Sequence, residues 1–308
     1  LQDLLPVVEP GDLIIDAGNS YFKDTDSRGK LCAEKGVKFF GMGVSGGEAG
    51  ARYGPSMMPG GPKESYEHVR PVLEAIAAKV QGEPCVTWVG HGSAGHYVKM
   101  VHNGIEYGIM QLIAETYDIL RRGVGLKNDE LHTLFDTWNR GEMSSFLIEI
   151  TAKIFKKRDD KGGQGWLVDK IKDVARQKGT GKWTSQDALD LQVPIPTIDL
   201  AVTARDTSGM ADERKAVAQV LGSPIAVYAG DRQTFLTQVG QALQAATILT
   251  YAQGMDLLRN ASKFDKYDLH LGEVAKIWRG GCIIRSAFLE DIRAAYSANP
   301  DLPSLLVD

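Results

Sequence analysis

The sequence predicts an α/β domain followed by an all-α domain, and three observations support this interpretation. The first 92 residues alternate short apolar runs with amphipathic stretches, a pattern typical of βαβ units. From residue 93 onward the apolar spacing becomes helical and strand signals are few. The chain has 308 residues and is 43% hydrophobic, which is enough to bury the cores of two domains. We therefore expect domains at 1–92 and 93–308.

The first domain begins with a strand at 12–16. Its centre, Leu13-Ile14-Ile15, is continuously apolar, which predicts burial on both faces of a parallel sheet. The elements expected after it are a helix at 24–35, a strand at 37–40, a helix at 63–79 and a strand at 85–89. Ligands of open α/β sheets bind at the carboxyl ends of the strands, so Asn19 is a candidate site residue. A turn-forming asparagine is the alternative.

A glycine-rich segment follows the second strand. Gly41, Gly43 and Gly46 formally spell GxGxxG, the dinucleotide fingerprint. We reject that assignment, because the fingerprint must open an apolar helix and this segment continues into charged residues, glycine and proline. Ser45-Gly46-Gly47 is interpreted instead as a loop whose backbone N–H groups approach a ligand, with a purely structural turn as the alternative.

The stretch from Ser93 to Tyr107 carries the densest set of chemically active side chains. Ser93 is a suitable N-cap, and the apolar residues that follow recur at helical spacing. Lys99, Asn103 and Glu106 lie at i, i+4 and i+7, so they project from one face of the predicted helix, with His102 and Tyr107 beside them. A surface helix with an ordinary lysine and glutamate on its wet side is the alternative.

Two glycines, Gly104 and Gly108, interrupt the same helix. Each costs about 1 kcal/mol relative to alanine, which indicates that a neighbouring helix or a ligand approaches the backbone there.

Two cations in the second half are further candidates. A short helix marked by Leu167, Ile171 and Val174 is expected to end at Gly179, which places Lys182 in a glycine-flanked loop where it could meet a phosphate oxygen. Arg205 ends an apolar run and could reach inward. A surface turn and a solvated arginine are the alternatives.

Composition excludes several classes of function. A net charge of −4 and an isoelectric point near 5.9 give no electrostatic reason to expect nucleic acid or membrane partners. No apolar run is long enough to span a bilayer and no signal peptide is visible, so a cytoplasmic location is expected. Three cysteines without CxxC spacing predict buried thiols and no metal site.

The chemistry of the central face suggests acid–base catalysis. A lysine crowded by protein can have its pKa lowered enough to act as a general base near neutrality. A nearby carboxylic acid can then return a proton, which suits oxidation of an alcohol followed by protonation of a carbanion-like intermediate.

Four motifs together resemble the 6-phosphogluconate dehydrogenase family over the whole chain: VKMVHNGIEYG, VSGGE with GARYGPS and MPGG, QKGTGKWT, and IWRGGCIIR. The resemblance implies that 1–92 is the remainder of a Rossmann-type NAD(P)-binding domain and 93–308 a helical substrate-binding and dimerisation domain. It also implies oxidation of 6-phosphogluconate at C3 with NADP, loss of CO2 and formation of ribulose 5-phosphate in the pentose phosphate pathway, without a metal.

The resemblance further implies a role for each candidate residue. Lys99 would be the general base and Glu106 the acid that protonates C1. Substrate hydroxyls and carboxylate would be bound by Ser45, Gly46, Gly47, His102 and Asn103; the phosphate by Tyr107, Lys182 and Arg205; and the nicotinamide side by Asn19, which also touches substrate, and Glu48.

The resemblance also implies that the chain is a fragment, lacking the residues that choose NADP over NAD and a C-terminal tail. We therefore expect these 308 residues alone to be inactive. A homodimer is expected, with the long helix predicted at 235–262 helping to build its core; an intramolecular helix is the alternative. The alternative functions are a related β-hydroxyacid dehydrogenase and a non-catalytic paralogue.

Overall fold

The amino-terminal part of the chain forms a small mixed sheet with associated helices. The computed structural model describes residues 1–222 and 227–308. Its first elements are β1 (Leu13–Asp16), α1 (Phe22–Ala33), β2 (Lys38–Ser45), α2 (Gly47–Tyr53), β3 (Ser56–Pro59), α3 (Lys63–Ile76), β4 (Lys79–Val80) and β5 (Glu83–Pro84). The first half of β2 pairs with β1 in parallel, and its second half pairs with β3 in antiparallel orientation. The β1–α1–β2 segment is the predicted βαβ unit.

Two expectations for this part are wrong. No strand forms at 85–89, where the chain makes only isolated bridges between Val86 and Met57 and between Gly90 and Gly60. The apolar residues Cys85, Val86 and Val89 are buried, as their pattern predicts. The pattern does not determine whether a buried segment also pairs as a strand. Nor is 45–47 a loop: Ser45 ends β2 and Gly47 begins α2, so a single residue makes the junction. That residue, Gly46, has a φ of +124°, which glycine adopts without strain.

The rest of the described chain is helical, which confirms the predicted fold class. Its elements are α4 (Ala94–Asp118), a π-helical turn (Ile119–Gly123), α5 (Asn128–Asn139), α6 (Phe146–Lys156), a 3-10 turn (Leu167–Lys170), α7 (Thr180–Asp190), α8 (Pro196–Gly209), α9 (Ala211–Leu221), α10 (Arg232–Phe264), α11 (Leu271–Trp278), α12 (Phe288–Ala298) and a final 3-10 turn (Leu305–Val307). None of the helices in the described residues is both long and apolar enough to cross a membrane.

Helix α4 is the centre of the molecule. Val98, Val101 and Ile105 are fully buried and belong to the main hydrophobic cluster. A Cβ on Gly104 would lie 2.8 Å from Thr184 of α7, and one on Gly108 would lie 2.6 Å from Thr250 of α10. The two costly glycines therefore let neighbouring helices approach, and the alternative of a ligand at these positions is not needed.

Helix α7 begins where the sequence predicted a loop. The expected helix before it is reduced to the 3-10 turn at 167–170, and Lys182 lies in the first turn of α7. Gly179 is the N-cap residue, with a φ of +107°, and a Cβ on Gly181 would lie 2.6 Å from the ring of Tyr107. Gly179 thus allows the helix to begin, and Gly181 allows it to pack closely against Tyr107. In the sequence, glycines with these roles look the same as glycines of a loop.

Helix α10 covers the predicted run at 235–262 and extends beyond it at both ends. Its second half is packed into the main cluster through residues such as Tyr251 and Met255, whereas Leu249 is 42% exposed. The three cysteines are free and buried, as predicted.

Candidate active site

Lys99 and Glu106 lie on one buried face of α4. Lys99 is only 5% exposed and Glu106 is half-buried, so the alternative of a solvated helix face is wrong. The cause is β2, whose backbone crosses α4 so closely that a Cβ on Gly43 would lie 2.3 Å from the Cβ of Lys99. The sheet thus covers the stem of the lysine, and the amine is held inside the protein.

His102 connects the lysine to the end of β2. Its Nε2 lies 3.4 Å from the hydroxyl of Ser45, and its Nδ1 lies 3.4 Å from Nζ of Lys99 and 3.0 Å from Oδ1 of Asn103. The amide of Asn103 in turn donates from Nδ2 to the hydroxyl of Thr180, at 3.1 Å. Four of the predicted site residues therefore form one polar cluster.

Burial shifts the pKa values of the two catalytic candidates in opposite directions. Desolvation lowers the pKa of Lys99, although the nearby Glu106 and Cys282 oppose the shift. Desolvation also raises the pKa of Glu106, opposed by Lys99 and Arg205. Both shifts favour a neutral amine and a neutral carboxylic acid, which are the forms a general base and a general acid need.

Tyr107 and Arg205 come together at the far end of this face. The guanidinium of Arg205 lies 3.7 Å from the centre of the Tyr107 ring and donates to the carbonyl of Arg176 at 2.8 Å. Lys182 lies in the first turn of α7 and is exposed. Thr180, Gly181 and Thr184 face α4, and at about 100° per residue Lys182 projects from the opposite, exposed side of α7.

Asn19 and Glu48 lie at the carboxyl edge of the sheet. Asn19 is exposed in the turn after β1, which Asp16 closes by accepting hydrogen bonds from Gly18 and Ser20. Glu48 is exposed on α2 and pairs with Arg52 at 3.6 Å. A Cβ on Gly47, the first residue of α2, would meet no described atom within 4 Å, so the start of this helix is open.

Three residues of the site escaped the sequence prediction. His96 is buried and joins α1 to β1, with Nδ1 2.6 Å from the hydroxyl of Thr25 and Nε2 3.1 Å from the carbonyl of Asp16. Trp278 packs edge-to-face on His102, with 5.6 Å between ring centres. Thr180 holds the amide of Asn103. All three residues stand within stretches that the sequence analysis singled out, His96 in 93–107, Thr180 in QKGTGKWT and Trp278 in IWRGGCIIR, but their partners are distant in sequence and were not predicted.

Comparisons with known proteins assign the family. The model of the NAD binding domain of 6-phosphogluconate dehydrogenase matches residues 1–90, and the model of the C-terminal domain of 6-phosphogluconate dehydrogenase matches residues 95–308. The NADP(+)-dependent, decarboxylating 6-phosphogluconate dehydrogenase of Bacillus subtilis is 54% identical over the whole chain, and so is the decarboxylating enzyme of Synechococcus elongatus. The chain spans 66% of the length of each.

A solved structure shows the same arrangement. The 6-phosphogluconate dehydrogenase of Plasmodium falciparum, studied in its apo form and in complex with NADP+ and with 6-phosphogluconate, superposes on this chain with a TM-score of 0.96. It is 46% identical, and the match covers 100% of this chain and 66% of that one. With both domain models and these identities, the chain belongs to the 6-phosphogluconate dehydrogenase family.

Proposed function

We propose that this protein oxidises 6-phosphogluconate with NADP and decarboxylates the product to ribulose 5-phosphate. The observation that carries the proposal is the pair of Lys99 and Glu106 on one buried face of α4, with pKa values shifted towards a neutral base and a neutral acid. The names of the relatives support the same substrate and cofactor.

The proposed catalytic roles follow from the forms that burial favours. Neutral Lys99 removes the proton of the C3 hydroxyl while the hydride leaves C3; bound NADP supplies the hydride acceptor. The resulting ammonium then donates a hydrogen bond to the C3 carbonyl oxygen, which stabilises the negative charge that develops there as CO2 is lost. Glu106, whose pKa is raised by burial, gives its proton to C1.

The proposed substrate contacts divide along α4. Ser45, Gly46, Gly47, His102 and Asn103 bind the hydroxyls and the carboxylate, next to Lys99. Tyr107 and Arg205 bind the phosphate, where the guanidinium stacked on the ring offers a planar, permanently charged donor. Lys182 is retained as a phosphate ligand only as a prediction, since reaching the same anion from the outer side of α7 would require its side chain to wrap around the helix.

The carboxyl edge of the sheet fits a nicotinamide. Asn19 follows β1 at this edge, and the open start of α2 at Gly47 lets a flat ring approach the backbone. Asn19 would face both cofactor and substrate. Glu48 would lie on the cofactor side, although its ion pair with Arg52 keeps it on the solvent side in this structure.

Three broader proposals accompany this one. The domain boundary is placed at residue 92, immediately before Ser93, the N-cap residue of α4. The active form is a homodimer, supported by the exposed apolar side chains of Leu249, near the middle of α10, and of Val217 and Val220 on α9. The protein works in the cytoplasm.

The test is NADPH formation with CO2 release from 6-phosphogluconate. It should be run on the 308-residue chain and on a chimera that carries the flanking segments of the Bacillus subtilis relative at both ends. We expect activity in the chimera and none in the chain alone. A folded chimera that is inactive with both NADP and NAD would overturn the proposal. Oxidation of a small phosphate-free 3-hydroxy acid instead would favour the related β-hydroxyacid dehydrogenase.

A further inference from the structure

An irregular segment at 172–178 lies beside the proposed phosphate site. It connects the 3-10 turn at 167–170 to α7, and among the described residues its backbone forms no hydrogen bond with another backbone group. The hydrogen bonds that fix its position come from side chains of α8 and α9 and from its own side chains. Changing one of these side chains should therefore loosen the segment while leaving the helices intact.

One contact of the segment involves Arg205 directly. Nη1 of Arg205 donates to the carbonyl of Arg176 at 2.8 Å, while the guanidinium lies 3.7 Å from the centre of the Tyr107 ring. A guanidinium can only donate and a carbonyl can only accept, so this hydrogen bond has a single direction. It uses one of five N–H donors, which leaves enough for a bidentate contact with a phosphate. The position of the Arg176 carbonyl thus helps to orient the guanidinium before any ligand binds.

Arg214 of α9 fastens the beginning of this segment to the end of α8. Its Nη1 donates to the carboxylate of Asp173 at 3.0 Å. Its Nη2 donates to the carbonyl of Asp173 at 3.3 Å and to the carbonyl of Ser208 at 3.0 Å. Ser208 lies in the last turn of α8, where carbonyl groups have no partner within the helix. One guanidinium therefore joins the segment to the helix that carries Arg205.

Two more hydrogen bonds fix the residues on either side of Arg176. The backbone N–H of Ala175 donates to the hydroxyl of Ser208 at 2.9 Å, and Nε2 of Gln177 donates to the carboxylate of Asp206 at 2.6 Å. Both acceptors belong to the last turn of α8. The carbonyl that receives Arg205 is thus held between two attachments to the same helix.

We propose that Arg214 is a positioning residue for phosphate binding: it fixes the segment at 172–178 on the end of α8, and the segment holds the carbonyl that orients Arg205. Arg214 acts through Arg205 and does not itself touch the substrate. Without this attachment, Arg205 would lose the rotamer freedom of a long side chain each time a phosphate binds, which weakens the affinity. The role rests on the proposed function of Arg205 as a phosphate ligand.

The first experiment measures the mobility of Arg205 in the ligand-free chain. The ¹⁵N relaxation of its Nε–H group reports how strongly the guanidinium is restrained. We expect the order parameter of this group to fall in Arg214→Met, and also in Ser208→Ala, which removes the acceptor for Ala175. Arg232→Met is the matched control, because Arg232 is another arginine that pairs with a carboxylate of a different helix, Glu130 of α5. It should leave Arg205 unchanged.

The second experiment measures affinity in the chimera that carries both flanking segments. In Arg214→Met the KM for 6-phosphogluconate should rise about threefold to tenfold, the cost of immobilising one long side chain on binding, while kcat stays within about twofold. The inhibition constant of inorganic phosphate should rise by the same factor. In an Arg205→Met background, Arg214→Met should have no further effect on either constant, because its only route to the phosphate has been removed.

A role of Arg214 in capping α8 alone would change stability and leave these measurements unaltered. The inference is therefore overturned if Arg205 is as restrained in folded Arg214→Met and Ser208→Ala as in the wild type. It is also overturned if the KM is unchanged, or if the rise in KM persists in the Arg205→Met background. Because the relaxation measurement uses ligand-free protein, an inactive chimera with a mobilised Arg205 would refute the proposed function and leave the control of Arg205 by Arg214 intact.

Discussion

Replacing Gly104 by alanine is expected to destabilise the protein by forcing α4 and α7 apart. The new Cβ would lie 2.8 Å from the methyl carbon of Thr184, short of the 3.4 Å at which ordinary contact begins. The helices must therefore separate by about 0.6 Å, and such overpacking costs about 1–3 kcal/mol. Alanine recovers about 1 kcal/mol of helix propensity, so the net loss should be at most about 2 kcal/mol.

The matched control is Gly29→Ala in α1. Its Cβ would meet Phe39 at 3.7 Å, an ordinary contact, so the same chemical change should stabilise the chain by up to about 1 kcal/mol. Adding Thr184→Ser to Gly104→Ala removes the obstructing methyl group and should recover most of the loss. Urea unfolding midpoints of the four chains give the comparison. If Gly104→Ala is as stable as Gly29→Ala, or if Thr184→Ser does not rescue it, the close approach of α7 is not what the glycine serves.

Three further outcomes are expected. Lys99→Met should abolish oxidation yet raise the melting temperature. Folding lowers the pKa of Lys99, so below pH 10.5 the unfolded chain holds a proton on this lysine more strongly than the folded chain does, which costs stability that methionine does not lose. A lower melting temperature would contradict this reasoning. Glu106→Gln should retain hydride transfer to NADP but lose proton delivery to C1, so trapping experiments should detect the 3-keto intermediate, and an unchanged overall rate would contradict the role of Glu106. Hydrogen bonds from Arg293 and Arg279 lower the pKa of Glu83 from 4.5 to about 2, so the stabilising effect of Glu83 is complete above pH 4.5 and is lost as the pH falls towards 2. Glu83→Gln should therefore be less stable than the wild type at pH 7 and should lose less stability on acidification. Thermal unfolding followed by circular dichroism at the two pH values measures both effects.

Periodicity predicted the helices well because their apolar faces are continuous in sequence. The predicted helix at 63–79 contains α3 (Lys63–Ile76), and the run predicted at 235–262 lies within α10. Apolar spacing gave a wrong strand at 85–89, where the chain is buried but forms only isolated bridges. It also gave a wrong helix at 171–178, where the segment is irregular and Ile171 is 63% exposed. Apolar spacing records which side chains avoid water; the hydrogen-bond pattern depends on partners elsewhere in the chain.

The candidate catalytic face of α4 was predictable for a similar reason, whereas its electrostatics were not. Lys99, Asn103 and Glu106 share a face because of their spacing alone. Their burial depends on β2, which crosses α4 at Gly43, and nothing within the helix sequence reveals that crossing. Lys182 lies in the first turn of α7 and is exposed, although its glycine neighbours suggested a loop; its contact with a phosphate stays a prediction.

The apparent dinucleotide fingerprint illustrates how packing can imitate a ligand motif. The segment that follows it is charged and rich in glycine, which is unlike the apolar helix of a fingerprint, yet a short helix, α2, does begin at Gly47. The better reason lies in what the glycines touch. A Cβ on Gly41 would lie 2.5 Å from the ring of His96, one on Gly43 would lie 2.3 Å from Lys99, and one on Gly46 would lie 2.7 Å from the carbonyl of Gly281. All three small residues face protein, so their spacing brings the sheet against α4 and the turn after α11. The glycines allow β2 to close over Lys99, and they leave no room for a pyrophosphate at these positions.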